Sequence, residues 1–132
     1  QAIKFGVQDQ VKFYGNLPHH LVFDELTKQD LYIQPSKQEG LPRALIEAMA
    51  MGLPSMGAAT AGIPELIDSN YVFSNSRNNY KEIAILLSSI SKQEMLRLSK
   101  ENFYESKKYS ATLIEERRNR FLKEFKKTGE II

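Results

Sequence analysis

Two glutamates separated by seven residues, Glu39 and Glu47, are the pair best placed to do chemistry in this sequence. An ionised carboxylate only accepts hydrogen bonds, so it binds pairs of hydroxyl groups well. Glu39 lies in a loop, residues 36–42, that follows a strand closed by Pro35-Ser36. Glu47 lies in the next segment, Arg43 to Met51, whose spacing predicts a helix. Both side chains can then face one crevice, Glu39 near its mouth and Glu47 about a turn further in. The first amides of such a helix have no partner within it and sit at the positive end of its dipole. They suit an anion or a hydroxyl group. Each residue also has a plain reading. Glu39 alone is a solvated loop acid, and Glu47 alone is an acid on a helix surface.

The elements that must position this pair follow from apolar spacing and stop signals. Gln1 to Phe5, followed by Gly6, reads as the tail of a helix. Val11 to Tyr14 reads as a strand ending at Gly15. Leu17-Pro18 opens a helix through Lys28, with Pro18 near its first turn. Leu31 to Gln34 is the next strand. The helix from Arg43 stops at Gly52 with Pro54 just beyond, and its Ala44, Ala48 and Ala50 permit close approach to a sheet. Ser55 to Ala58 is a third strand and residues 59–62 a turn. Pro64 starts a short helix to Ile67, and Tyr71 to Phe73 is a fourth strand. The chain is helical after Ser74. Asn79-x-x-Glu82 resembles a capping box and Ser91-x-x-Glu94 is one. Ile83, Leu86, Leu87 and Ile90 share one helical face; Ile114, Phe121, Leu122 and Phe125 share another.

Strands alternate with helices and no tight hairpin joins neighbouring strands. The expected fold is α/β, a Rossmann-like parallel sheet with helices on both faces, followed by a helical C-terminal tail. Ligands of such sheets bind beyond the carboxyl ends of the strands, here at loops 15–18, 35–42 and 58–63.

Residues 35–67 read PSKQEGLPRALIEAMAMGLPSMGAATAGIPELI. The two spaced glutamates, the following Ala-Met-Ala and the small-residue turn before Pro-Glu closely resemble the signature of the retaining glycosyltransferases of family four, which have the GT-B architecture. Phe13-Tyr14-Gly15 and Asp30-Leu31-Tyr32-Ile33-Gln34-Pro35-Ser36 agree with the family's upstream pattern. The likeness covers roughly residues 5–73. It implies a nucleotide-sugar donor as substrate and no cofactor. It implies that Glu47 holds the ribose hydroxyls and that Glu39, the catalytic candidate, contacts the transferred sugar. By the same resemblance Gly40 and the amides of Leu41, Arg43 and Ala44 line the sugar and distal phosphate, and Asn16 and Leu17 lie against the base.

The sequence departs from the family at two places. Pro42 stands where many relatives have glycine, and proline offers no N–H. The paired glycine of the later turn is Ala61-Gly62, in which Gly62 keeps backbone freedom and Ala61 limits it. Glu65 matches the family's acid after that turn, but serves equally as a favourable charge at a helix start. In the family, the basic pair that neutralises the diphosphate and the whole acceptor domain lie upstream. The chain begins at Gln1, so residues 1–132 are expected to be a single donor-binding domain, inactive alone, within a longer enzyme. The acceptor, a glycan or a lipid-linked glycan, would be held by the missing N-terminal domain. The alternatives are a GT-B-shaped sugar-nucleotide epimerase and a non-catalytic nucleotide-binding module.

The remaining features mainly exclude. There are no cysteines, so neither disulfides nor thiolate metal sites exist. His19 and His20 do not form a metal site, and no Asp-x-Asp occurs, so no metal requirement is expected. A net charge of +2 gives no reason to expect nucleic acid. No apolar run is long enough to span a membrane and no signal peptide is visible. A cytoplasmic location is expected. Between Glu115 and Lys127 six basic residues accompany three acids, within an amphipathic helix over 111–127. That segment reads as a solvated helix face, as a peripheral contact with an anionic membrane, or, by resemblance, as a helix crossing back to the first domain.

Overall fold

The computed structural model describes the backbone of residues 1–129 and the side chains through Lys126. Three parallel strands form one sheet in the order β1 (Tyr32–Gln34), β2 (Ser55–Ala58), β3 (Val72–Phe73). Tyr32 pairs with Ser55 and Gln34 with Gly57, while Gly57 pairs with Val72 and Ala58 with Phe73. Helix α1 (His19–Leu26) precedes β1. Helix α2 (Arg43–Ala50) carries the chain from β1 to β2, and α3 (Ile63–Leu66) carries it towards β3. Helices α4 (Asn79–Ser89), α5 (Lys92–Ser106) and α6 (Ala111–Gly129) follow.

Alternation along the strands sorts side chains into two cores. On one face Tyr32 and Val72 meet Leu45 and Met49 of α2, Ile63 and Leu66 of α3, and Ile67. On the other, Ile33, Met56, Ala58 and Phe73 meet Ile83, Leu86 and Ile90 from α4 and its end, and Leu98 of α5. Helices therefore cover both faces, as the α/β reading requires. Every residue of β2 is buried, the expected state of a central parallel strand. The Asn102 amide on α5 donates to the Leu53 carbonyl at 2.9 Å, tying α5 to the entry of β2.

The segment Val11 to Tyr14 is not a strand. Phe13 is 88% exposed, and among the described residues no strand flanks β1 on its outer edge. A β-prone run without a ladder partner has nothing to satisfy its backbone, so the propensity goes unused. The expected helix tail at Gln1 to Phe5 is a 3₁₀ turn, Ile3–Phe5, closed by Gly6. Helix α4 is not boxed by Asn79. Its cap residue is Asn78, which makes no side-chain cap, and the Glu82 carboxylate is taken up by the amide and hydroxyl of Ser74. Leu87 falls outside the packed stripe and is exposed, whereas Ile83, Leu86 and Ile90 are half-buried and pack against the core. At α5 the Ser91 hydroxyl does accept from the Glu94 amide at 3.1 Å; the Glu94 side chain turns to Arg97 instead of back to the cap.

Close approach fixes the turn after β2. A Cβ at Gly57 would lie 2.4 Å from Cγ2 of Ile63, so α3 can dock on β2 only over a glycine. The sequence assigns conformational freedom to Gly62, but the left-handed residue is Ala61, with φ +43°. Gly62 has φ −77° and is needed for space: a Cβ there would meet the Gly40 carbonyl oxygen at 3.3 Å and Pro42 Cδ at 3.7 Å.

Helix α6 has its apolar stripe open. Ile114, Phe121, Leu122 and Phe125 are all exposed, with Phe121 and Phe125 stacked at 6.3 Å between centroids. Of the six basic residues counted in this segment, the Lys127 side chain lies outside the described residues.

Arg97 on α5 pairs with Asp68, Glu94 and Glu101. The amide of Asn70, and then Arg97, hold the Asp68 carboxyl below its ordinary 3.8. Arg97 is the chief reason that Glu94 lies below 4.5. Lowered folded-state values mean that the unfolded chain takes up protons first as pH falls. The stabilisation is therefore complete above about pH 4.5 and is lost as pH drops through the lower folded-state values. Melting temperatures at pH 7 and pH 3 check this: Arg97→Met should lower the first and narrow the gap between the two. A second pair of variants tests the turn. Gly57→Ala should destabilise by about 1–3 kcal/mol through overpacking. Ala61→Gly should stabilise by about 0.5 kcal/mol, because relief of the left-handed strain exceeds the added chain entropy. Urea unfolding measures both.

Candidate functional site

Three loops leave the carboxyl ends of the strands, and they are tied together. The Lys37 carbonyl, in the loop after β1, accepts from Thr60 Oγ1 of the loop after β2 at 3.3 Å. It also accepts from Asn75 Nδ2 of the loop after β3 at 2.8 Å. With Gly62 lying against the Gly40 carbonyl, the loop carrying Glu39 is held from two sides.

Glu39 turns back over the end of β1. Its Oε1 accepts from Ser36 Oγ at 2.6 Å and from Gln34 Nε2 at 2.8 Å. The Tyr32 hydroxyl donates to Gln34 Oε1 at 2.7 Å. Tyr32 and Gln34 are two apart on a strand and so share a face. That face is the one covered by α2.

Glu47 projects from α2, opposite the buried Leu45, Ala48 and Met49. Its Oε1 lies 3.2 Å from His19 Nε2, at the start of α1. The His19 side chain is 71% exposed and that of Glu47 32%. Phe23, one turn along, meets the His19 ring edge-on at 4.7 Å between centroids.

Both acids stand at the corner where the loop after β1 runs into α2, Glu39 in the loop and Glu47 in the second turn of the helix. The Tyr32 phenol is pushed above its ordinary value, first by burial and then by the charges of Glu39 and Glu47. The start of α2 faces this loop. Pro42 is buried and contributes no N–H, and the first helical bond runs from the Ile46 amide to the Pro42 carbonyl at 3.2 Å. The amides of Arg43, Ala44 and Leu45 precede that bond, so the helix leaves their donors unused. Gly40, Leu41, Arg43 and Ala44 are exposed there. Asn16, exposed, and Leu17, half-buried, come three and two residues before His19 and its contact with Glu47. Glu65 goes elsewhere. It lines a cleft of about 700 Å³ with Asp68, Glu101, Tyr104 and Lys108, a lining that includes neither Glu39 nor Glu47.

Sequence reasoning missed four residues of the corner: His19, Tyr32, Gln34 and Ser36. Tyr32 and Gln34 carried a signal, two polar groups alternating towards the core side of a strand. The His19 contact spans 28 positions and left no local trace. Among the described residues no three His, Asp or Glu side chains gather as a metal site. No described helix is long and apolar enough to cross a membrane.

The chain is similar to known proteins. Residues 1–110 match the family model described as glycosyl transferases group 1. The amylovoran biosynthesis glycosyltransferase AmsK of Erwinia amylovora is 40% identical over 70 residues, which is 48% of this chain and 17% of that protein. The putative colanic acid biosynthesis glycosyltransferase WcaL of Escherichia coli is 36% identical over 73 residues, 51% of this chain and 18% of that protein. The phosphatidylinositol N-acetylglucosaminyltransferase gpi3 subunit of Schizosaccharomyces pombe is 30% identical over 87 residues, 66% of this chain and 19% of that protein. The matched segments therefore span less than a fifth of these relatives. In three dimensions the chain is similar to sucrose-phosphate synthase from Thermosynechococcus elongatus, with a TM-score of 0.81 at 16% identity, over 96% of this chain and 33% of that one. The solved structure speaks for the fold, and the matched residues for kinship: the chain belongs to the glycosyl transferases group 1 family.

Proposed function

We propose that this chain is the donor-binding half of a retaining glycosyltransferase of GT-B architecture. It would move a hexose or related sugar from a nucleotide-sugar to a glycan or lipid-linked acceptor, in polysaccharide or glycoconjugate biosynthesis. The observation that carries the reading is the placement of the two acids: Glu39 on the loop that leaves β1, fixed to Gln34 and Ser36, and Glu47 on α2, the helix that follows that loop. The names of the relatives support it: two are glycosyltransferases of amylovoran and colanic acid biosynthesis and one is a phosphatidylinositol N-acetylglucosaminyltransferase subunit. The nucleotide-sugar is a substrate, and neither cofactor nor metal is proposed.

Glu47 accepts the two ribose hydroxyls and gives up His19 to do so. A contact of 3.2 Å with a mostly exposed ring costs little to exchange. Glu39 accepts from the transferred sugar. The amides of Arg43 and Ala44, with those of Gly40 and Leu41, face the sugar and distal phosphate, and Asn16 and Leu17 lie against the base. The helix dipole favours the charge that grows on the departing nucleoside diphosphate. Catalysis is then placement together with stabilisation of an oxocarbenium-like transition state. The cations that neutralise the diphosphate, and the acceptor site, come from a domain outside this chain. The enzyme is read as cytoplasmic, with the basic residues of α6 meeting an anionic membrane peripherally.

Variants of the two-domain protein test the assignment. Glu47→Ala should weaken both nucleoside diphosphate and sugar-nucleotide binding by roughly tenfold to a hundredfold, measured calorimetrically, because both ligands carry the ribose. Glu39→Gln should lower turnover and leave nucleoside diphosphate affinity near its original value. Unchanged affinity in a folded Glu47→Ala protein removes the ribose role, and full turnover in Glu39→Gln reduces Glu39 to a loop acid. Residues 1–132 alone should bind nucleotide weakly and transfer no sugar; turnover by this chain alone would overturn its reading as half a site.

A further inference from the structure

We infer that Tyr32 and Gln34 are positioning residues: a relay that grips Glu39 by Oε1 and holds Oε2 open towards the donor sugar. The inference rests on the reading of Glu39 given above. Gln34 is only 8% exposed, on a sheet face whose other occupants are largely apolar. A buried amide must be satisfied at both ends, and here both ends are spoken for. Its Nε2 donates to Glu39 Oε1 at 2.8 Å and to Ser36 Oγ at 3.2 Å, and its Oε1 accepts from the Tyr32 hydroxyl at 2.7 Å.

The direction of the chain of bonds is dictated by its end. An ionised Glu39 can only accept, so Gln34 must present its NH₂ to it. The Gln34 carbonyl then faces Tyr32, and Tyr32 must donate. A phenol whose pKa is raised keeps the proton that this requires. Bonds that all run the same way polarise one another.

The division of labour at the carboxylate is the second part of the argument. Both donors, Gln34 Nε2 and Ser36 Oγ, go to Oε1. Among the described residues Oε2 accepts no hydrogen bond, and no Lys or Arg pairs with Glu39. The carboxylate is fixed through one oxygen and has the other available for a hydroxyl group. Tyr32 acts one step further out. Without its hydroxyl the Gln34 amide can rotate half a turn and set its carbonyl against Glu39.

Turnover is measured with UDP-glucose, UDP-N-acetylglucosamine and GDP-mannose, and affinity for UDP and GDP by calorimetry, in the two-domain protein. Gln34→Leu should lower kcat roughly tenfold and Tyr32→Phe about threefold, with nucleoside diphosphate affinity unchanged. Gln34→Leu leaves the Tyr32 hydroxyl without its acceptor, so it should stay folded at a lowered melting temperature. In a Glu39→Gln background Gln34→Leu should cost nothing further, the mark of a residue acting through another. Full turnover in Gln34→Leu, when Glu39→Gln has lost it, overturns the relay and leaves the donor reading intact. Full turnover in Glu39→Gln sinks the donor reading itself. An equal loss of nucleotide affinity in both single variants makes the relay a structural prop and overturns it. One arm needs no turnover. In residues 1–132 labelled with ¹³C-tyrosine, the Tyr32 signal, assigned by its loss in Tyr32→Phe, should titrate at lower pH in Glu39→Gln. An unmoved midpoint would separate Glu39 from the relay and overturn the inference.

Discussion

The absence of a side chain at Gly57 controls the geometry of the whole carboxyl edge. Ile63 Cγ2 occupies the place where a Cβ would stand, so α3 lies directly on the central strand. That depth leaves four residues, 59–62, to climb from the end of β2 to the start of α3. The short path forces Ala61 into φ +43° and brings Gly62 against the Gly40 carbonyl and Pro42. The loop carrying Glu39 is thereby shaped by a contact on the neighbouring strand. A methyl group at 57 would lift α3, relax Ala61 and withdraw the surface on which Gly40 rests. Packing deep in the sheet and the direction of a carboxylate at its edge are consequences of the same close approach.

Helix α2 supplies the second constraint, through its two faces. Leu45, Ala48 and Met49 are fully buried against the sheet and α5, which fixes the rotation of the helix. With that rotation set, Glu47 has no choice but to look towards α1 and the end of β1. At its start, Pro42 is buried, lacks an N–H, and leaves the carbonyl that begins the helical ladder. The unused donors of Arg43, Ala44 and Leu45 thus appear immediately beside the loop of Glu39. A short helix of eight residues would contribute little alone. Its value lies in being locked by its apolar side while its first turn and its acid stay accessible.

Much of this was legible in the sequence because it depended on local chemistry. Gly52 and Pro54 stop α2, Pro64 starts α3, and alternating elements without hairpin turns give a parallel sheet. Glu39 could be placed on a strand-end loop and Glu47 on the next helix because Pro35-Ser36 closes the strand and Gly52 and Pro54 stop the helix. The failures share a different cause, dependence on partners remote in sequence. Val11 to Tyr14 had strand propensity and no ladder to join. Glu82 looked like a capping acid, but Ser74 bound it first. Leu87 matched a helical stripe whose width only the packed sheet could set. Ala61 took the left-handed conformation on the short path from β2 to α3, and Gly62 was needed for contact with Gly40, 22 positions away. His19 reached Glu47 across 28 positions, a pairing fixed by the docking of α1 on α2.

The two acids of the corner are prepared to different degrees, and the difference matches the tasks proposed for them. Glu39 is held by two donors within 2.8 Å, one of them the buried end of the Tyr32–Gln34 chain. Glu47 has one exposed histidine at 3.2 Å. Contacts to the ribose are the same in ground state and transition state, so they add affinity without adding rate. Such a contact tolerates an acid that settles on binding. Charge that develops at the transferred sugar is stabilised only by a group already in place, because reorganisation at that moment consumes the gain. On the roles proposed for them, rigid support for Glu39 and loose support for Glu47 would favour turnover at the sugar and exchange at the nucleotide.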